Sequence, residues 1–306
     1  MKPFSLHLAV PLLALATAAP AVIADETAQA PGFGVYDPDA RCSQEKKLTF
    51  EHLYVSWASD KPGELLRQLQ VVQAHGQRPF VALEPWPDPA ITPIPSALLA
   101  DVAAGKYDER IQQFAREIGT LAGPVLLSWG QNMENVTGRY PWASHDAALY
   151  QQAYRHFVNT ARLQAKNIAY VWSPVGDKGV ESYWPGEEYV DYIGLSVFEF
   201  PAFDQAYYHQ GTRSFHDQVT EKYARIAKYG KPVLIAECGV TGSQKYQLSW
   251  LSGALHDLGN YPLLKGLIYF NAKDTDTPED WGKDYLTPNW GMSGCALAEV
   301  IGETRF

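Results

Sequence analysis

Apolar positions along the chain follow two alternating patterns. Short, nearly continuous runs rich in β-branched and aromatic side chains recur eight times: FGVY (33–36), HLYVSW (52–57), PFVALE (79–84), VLLSW (125–129), IAYVW (168–172), YIGLSVF (192–198), VLIAE (233–237) and GLIYF (266–270). Each reads as a buried strand. Between them, apolar residues return at helical spacing: Leu65, Leu66, Leu69 and Val72 within 63–74, and Ile111, Phe114, Ile118 and Leu121 within 107–121. The stretches 147–165, 215–229, 247–258 and 295–301 behave alike. Strands separated by helical crossovers predict an α/β fold with a parallel sheet, and eight strands are the number that closes a TIM barrel. Residues 31–306 contain no linker or repeat. Roughly 280 residues suit one such barrel with loop insertions, so a single (β/α)8 domain is expected.

The first thirty residues differ. Lys2 precedes an apolar stretch from Leu6 to Ala18, followed by small residues that include Val22-Ile23-Ala24 and Ala28-Gln29-Ala30. This predicts a signal peptide over 1–24, with cleavage as late as residue 30 the other candidate, because the apolar run is shorter than the ~20 residues of a spanning helix. The mature chain is then expected in the periplasm or secreted, without a membrane span. Its three cysteines, Cys42, Cys238 and Cys295, are an odd number for an exported chain. Cys42 and Cys295 lie near the two ends of the domain, which meet in a closed barrel, so a bridge between them is open; Cys238, inside an apolar strand end, suits a buried small hydrophobe.

Composition narrows the chemistry. With 46% hydrophobic and 19% charged residues the chain can bury a core, and 25 basic against 34 acidic side chains give a net charge of −9 with no basic cluster. Nucleic acid is therefore excluded as a partner. No histidine has ligand spacing and the acidic loop KDTDTPEDWGKD (273–284) matches no calcium loop, so no metal or other cofactor is predicted.

Barrel chemistry sits at the C-terminal ends of the strands. Here those ends carry Glu84 and Trp86, then Trp129, Gln131, Asn132 and Glu134, then Trp172, Phe198 and Glu199, and finally Glu237 and Asn271. Carboxylates framed by aromatic rings suit a sugar site, since rings stack on pyranose faces while carboxyl groups provide acid, base or nucleophile.

The stretches SWGQNMENVTGRYPWA (128–143), KPVLIAECGV (231–240), RPFVALEPWPDP (78–89) and VDYIGLSVF (190–198) resemble family 26 of the glycoside hydrolases, the β-mannanase-like clan A enzymes. The resemblance runs in order over nearly the whole mature chain and looks closest to the bacterial branch that accompanies exopolysaccharide synthesis. It implies a retaining hydrolase of β-linked polysaccharide, with a nucleophile after the seventh strand, Glu237, and an acid/base after the fourth. The acid/base position departs from the family pattern: aligned on the strand, Ser128, Gln131 and Asn132 stand where relatives carry Arg, His and the catalytic Glu. An amide has no proton to give. Aligned instead on the downstream RYPW, Glu134 takes the acid/base place, and a loop bending inward would bring it to Glu237. Tyr140 and Trp142 of RYPW, with Trp86, Trp129, Gln131, Trp172, Phe198, Glu84 and Asn271, are the candidate sugar-binding residues. Two readings follow: a secreted β-glycan hydrolase, or a catalytically impaired glycan-binding protein that assists a polysaccharide synthase or export system.

Overall fold

The computed structural model describes residues 31–42, 45–59, 61–209, 211–274, 288–293 and 296–303. The expected signal peptide, Cys295 and residues 275–284 of the acidic loop lie outside the described residues. Eight parallel strands, β1 (Gly32–Tyr36), β2 (Phe50–Ser56), β3 (Arg78–Glu84), β4 (Val125–Trp129), β5 (Ile168–Trp172), β6 (Tyr192–Glu199), β7 (Val233–Val240) and β8 (Leu264–Phe270), pair in sequence order and close into a barrel. The outer layer holds α1 (Glu64–Ala74), α2 (Leu98–Ala103), α3 (Asp108–Gly119), α4 (Ala147–Arg162), the short α5 (Pro201–Phe203), α6 (Phe215–Ile226), α7 (Gln244–Asp257) and α8 (Leu297–Glu303).

The strands fall where the apolar runs predict them. The expected helices at 63–74, 107–121, 147–165, 215–229, 247–258 and 295–301 correspond to α1, α3, α4, α6, α7 and α8. Sequence periodicity missed α2, whose six residues are fewer than two turns. The crossover from β5 to β6 has two 3-10 turns, Val180–Tyr183 and Glu187–Tyr189, instead of an α-helix. Pro174, Gly176, Gly179, Pro185 and Gly186 account for this, because they remove amide donors and favour turns. At α6, Ser214 and Asp217 form a reciprocal capping box that fixes the helix start.

Side-chain alternation along the strands divides the core into two layers. Outward positions such as Val81, Leu83, Leu127 and Trp129 pack against the helices, while Phe50, Phe80, Leu126, Val171, Tyr192, Leu234 and Ile268 fill the barrel. His52 stacks on Phe80 with ring centroids 4.4 Å apart, and burial pushes its pKa down to about 3. In β7 the alternation breaks. Leu234 and Ala236 belong to the inner layer, yet Ile235, Cys238 and Val240 belong to the outer one. The pairing with β6 accordingly jumps from Leu195–Ile235 to Ser196–Glu237, a bulge that leaves Ala236 without a partner. This extra residue swings Glu237 from the helix layer to the barrel mouth.

Cys42 is disulfide-bonded and Cys238 is free and buried, as its apolar setting predicts. Among the described residues, no helix is long and apolar enough to cross a membrane.

The floor of the barrel depends on missing side chains. A Cβ on Gly34 would lie 2.6 Å from Cβ of Phe50 and 2.9 Å from its carbonyl oxygen, and Gly32 and Gly266 face the same ring at 2.8 Å. Gly34→Ala is therefore expected to destabilise the chain by about 1–3 kcal/mol through overpacking. Denaturant unfolding measures this, and an unchanged midpoint would contradict such tight packing.

Candidate active site

The inward positions at the C-terminal ends of the strands form the floor of a cleft of about 490 Å³. That volume suits a small-molecule or oligosaccharide site. Tyr36, Tyr54, Glu84, Ser196, Phe198, Glu237 and Phe270 come from the strands, and Trp86, Asn132, Tyr140 and Trp290 from the loops beyond them.

Glu237 is buried at the base of this cleft, with neutral donors converging on both oxygens. Tyr54 Oη donates to Oε1 at 2.6 Å, while Ser196 Oγ at 2.6 Å and Asn132 Nδ2 at 3.0 Å donate to Oε2. Asn132 is held by its backbone as well: its N–H donates to the Ser173 carbonyl at 2.8 Å, and its φ is +56°. Asparagine is one of the few residues that enter this left-handed region readily. The turn at the end of β4 therefore aims the amide straight at Glu237.

Glu84 ends β3 and also has neutral partners. Trp86 Nε1 donates to Oε2 at 2.9 Å and Gln131 Nε2 to Oε1 at 2.8 Å. Burial raises its pKa above the ordinary carboxyl value; the hydrogen bonds from Trp86 and Gln131 oppose the shift and the charge of Glu237 adds to it. The cleft's remaining carboxyls have cationic partners. Arg139 forks onto Asp274 at 2.8 and 3.1 Å, Arg213 contacts Asp204 at 3.1 Å, and Lys222 lies 3.4 Å from Asp177. The Arg139–Asp274 pair joins the loops after β4 and β8, which stand on opposite sides of the barrel.

Of the candidates read from the sequence, Glu84, Trp86, Asn132, Tyr140, Phe198 and Glu237 line the cleft. Glu134 does not. Past the left-handed turn its Oε1 accepts from the Gly176 N–H at 2.8 Å, and the inward bend toward Glu237 is not made. Trp129 and Trp172, expected to bind sugar, point outward by strand parity: Trp129 stacks on Phe157 in the helix layer, and Trp172 meets Trp184 edge-on. Trp142 is also fully buried, stacking behind Tyr140 with centroids 4.6 Å apart and donating to the Gln131 carbonyl. Gln131 supports Glu84 from below the surface. Asn271 is buried as a tie, donating to Asp37 at 3.1 Å and accepting from Met292 N–H at 2.9 Å. Sequence reading missed Tyr54 and Ser196, which the parity of β2 and β6 could have revealed. It also missed Arg139 and Asp274, which meet only through the fold.

Residues 108–253 match the family model described as glycosyl hydrolase family 26. The match runs from α3 into α7, and over those residues the chain is similar to that family. Among curated proteins, the chain is similar to the β-1,3-xylanase TXYA of a Vibrio species, at 26% identity over 234 residues covering 66% of this chain and 46% of the relative. It is also 23% identical over 248 residues to endoglucanase H of Acetivibrio thermocellus, covering 76% of this chain and 26% of that protein. The chain thus spans less than half the length of these relatives. A family 26 β-mannanase structure from Bacteroides ovatus superposes with a TM-score of 0.61 at 17% identity, covering 80% of this chain and 82% of that one, and shows the shared barrel.

The placement of Glu134 has a measurable consequence. Burial raises its pKa, opposed by the backbone hydrogen bond from Gly176, and its Oε2 is buried without a partner among the described residues. A raised carboxyl pKa means that its stabilising contribution is complete below the unfolded value and is lost as pH rises through the folded value. Glu134→Gln cannot ionise. Its stability relative to the unsubstituted chain is expected to improve between pH 4 and pH 8 in urea unfolding; a constant difference would show that the carboxyl is not disfavoured by burial.

Proposed function

We propose that the chain hydrolyses a β-linked polysaccharide, with Glu237 as the nucleophile of a retaining mechanism. The observation that carries this reading is Glu237 itself, turned by the β7 bulge into an aromatic-lined cleft and gripped by Tyr54, Ser196 and Asn132. Donors fixed on the carboxylate preorganise the attacking oxygen, while Trp86 and Tyr140 offer faces on which a pyranose can stack. In a retaining mechanism the nucleophile takes the anomeric carbon, a second carboxyl protonates the leaving oxygen, and water then releases the sugar. The names of the relatives, β-1,3-xylanases and an endoglucanase, together with a β-mannanase structure, support a β-linked glycan as substrate. The leader-like first thirty residues support export, and a bacterial exopolysaccharide is the substrate this reading favours.

A second reading, glycan binding without turnover, draws on one observation: Asn132, at the strand-register place of the family's acid/base, donates to Glu237 where a proton donor would stand.

A reducing-end assay on β-1,3-xylan, β-1,4-mannan, β-1,4-glucan and purified exopolysaccharide separates the two. Turnover by the unsubstituted chain and at least about a 10³-fold loss in Glu237→Gln are expected for removal of a nucleophile. Glu134→Gln, outside the cleft, is expected to stay within about threefold, as for a group that touches no reacting atom. Binding without turnover would support the second reading in place of the first.

A further inference from the structure

The hydrolase reading leaves a gap, because Asn132 cannot supply a proton and Glu134 faces Gly176 outside the cleft. The cleft wall carries other carboxyls. Five of its lining residues are carboxylic: Glu84, Asp177, Asp204, Glu237 and Asp274. Three of these face cations. Asp274 is gripped on both oxygens by Arg139, Asp204 by Arg213, and Asp177 lies beside Lys222. Their oxygens are engaged by these guanidinium and ammonium groups, so the three carboxyls tie the loops of the rim together. The remaining two, Glu84 and Glu237, accept hydrogen bonds only from neutral groups.

These two stand on β3 and β7, opposite staves of the closed barrel, so they face one another across its mouth. Glu84 is one stave from β4, the strand whose end carries Asn132, and Leu83 pairs with Trp129 in the shared register. The Gln131 amide, the residue before Asn132, holds the Glu84 carboxyl from the β4 side at 2.8 Å. On its other oxygen Trp86 places an indole N–H, and the Trp86 ring belongs to the cleft lining.

We propose that Glu84 is the proton donor of this cleft, replacing the carboxyl that Asn132 lacks; the proposal rests on the hydrolase reading. In the first step the Glu84 O–H bond breaks and the proton passes to the glycosidic oxygen. The bond from that oxygen to the anomeric carbon breaks with its electron pair leaving on oxygen, and a Glu237 oxygen bonds to the carbon. In the second step water attacks the same carbon, gives a proton to the Glu84 carboxylate and frees Glu237, which restores both groups. The raised pKa of Glu84 fits the protonated starting state.

The test compares leaving groups. Glu84→Gln keeps the shape of the side chain and an acceptor for Trp86, and is assayed with two classes of substrate: oligosaccharides of β-1,3-xylan, β-1,4-mannan and β-1,4-glucan, and the matching 2,4-dinitrophenyl β-glycosides, whose leaving group needs no proton. Loss of roughly 10²–10⁴-fold in kcat/KM on the oligosaccharides is expected for a missing general acid, with bond cleavage in the dinitrophenyl glycosides largely kept. Retained cleavage of the activated substrate also shows that the variant folds. Azide is expected to restore turnover of the dinitrophenyl glycosides and leave a glycosyl azide of retained configuration. Equal losses on both substrate classes in a variant whose circular dichroism and glycan binding are unchanged would overturn the proposal, as would undiminished oligosaccharide cleavage; in either case turnover by the unsubstituted chain leaves the hydrolase reading standing. No cleavage of either class by the unsubstituted chain would overturn both. Glu84→Asp, which keeps a proton on a shorter arm, is the second variant and is expected to retain more oligosaccharide activity than Glu84→Gln.

Discussion

The site depends on one extra residue in β7. A strand that kept strict alternation would place Ala236 in the barrel and Glu237 among the helices, where a carboxylate without partners costs several kcal/mol. The bulge resets the phase, so that Ile235 and Cys238 still pack outward while Glu237 turns to the mouth. Three side chains from different elements meet it there. Tyr54 is the third inward residue of β2 above Phe50 and His52, Ser196 pairs in register with Glu237 across the β6–β7 ladder, and Asn132 enters from a left-handed turn.

Charge is sorted within the same cavity. Three of its carboxyls, Asp177, Asp204 and Asp274, are paired with guanidinium or ammonium groups, whereas Glu84 and Glu237 are held by phenol, hydroxyl, amide and indole donors. Neutral donors fix a carboxyl in space without placing a full opposite charge beside it. The ion pairs hold the loops of the rim, and the Arg139–Asp274 pair does so across the barrel.

Much of this was legible in the sequence because the signals are local. Eight apolar runs mark the eight strands within a few residues, and Glu84 and Glu237 stand out as carboxylates closing such runs. What was not legible depends on rotation about the strand axis. Trp129 and Trp172 sit at strand ends like Glu84 does, but on the outward parity, and a run buried on both faces carries no polar alternation to show which side is inward. Trp142 was placed beside the cleft correctly in sequence but one layer too far forward, since Tyr140 covers it. Which way Glu134 faces was not legible either, because the direction of the chain after β4 is set by the positive φ of Gly130 and Asn132, which residue type alone permits but does not dictate.

The left-handed turn at Asn132 also restricts which side chain this position can hold. A longer acidic side chain at this position would inherit a backbone region that costs ordinary L-residues roughly 1–2 kcal/mol. It would also bring a second negative charge onto Glu237 in place of a hydrogen-bond donor. Conformation and chemistry thus select the same side chain: an acidic residue at this turn meets both steric and electrostatic resistance, whereas asparagine satisfies the backbone and the carboxylate together.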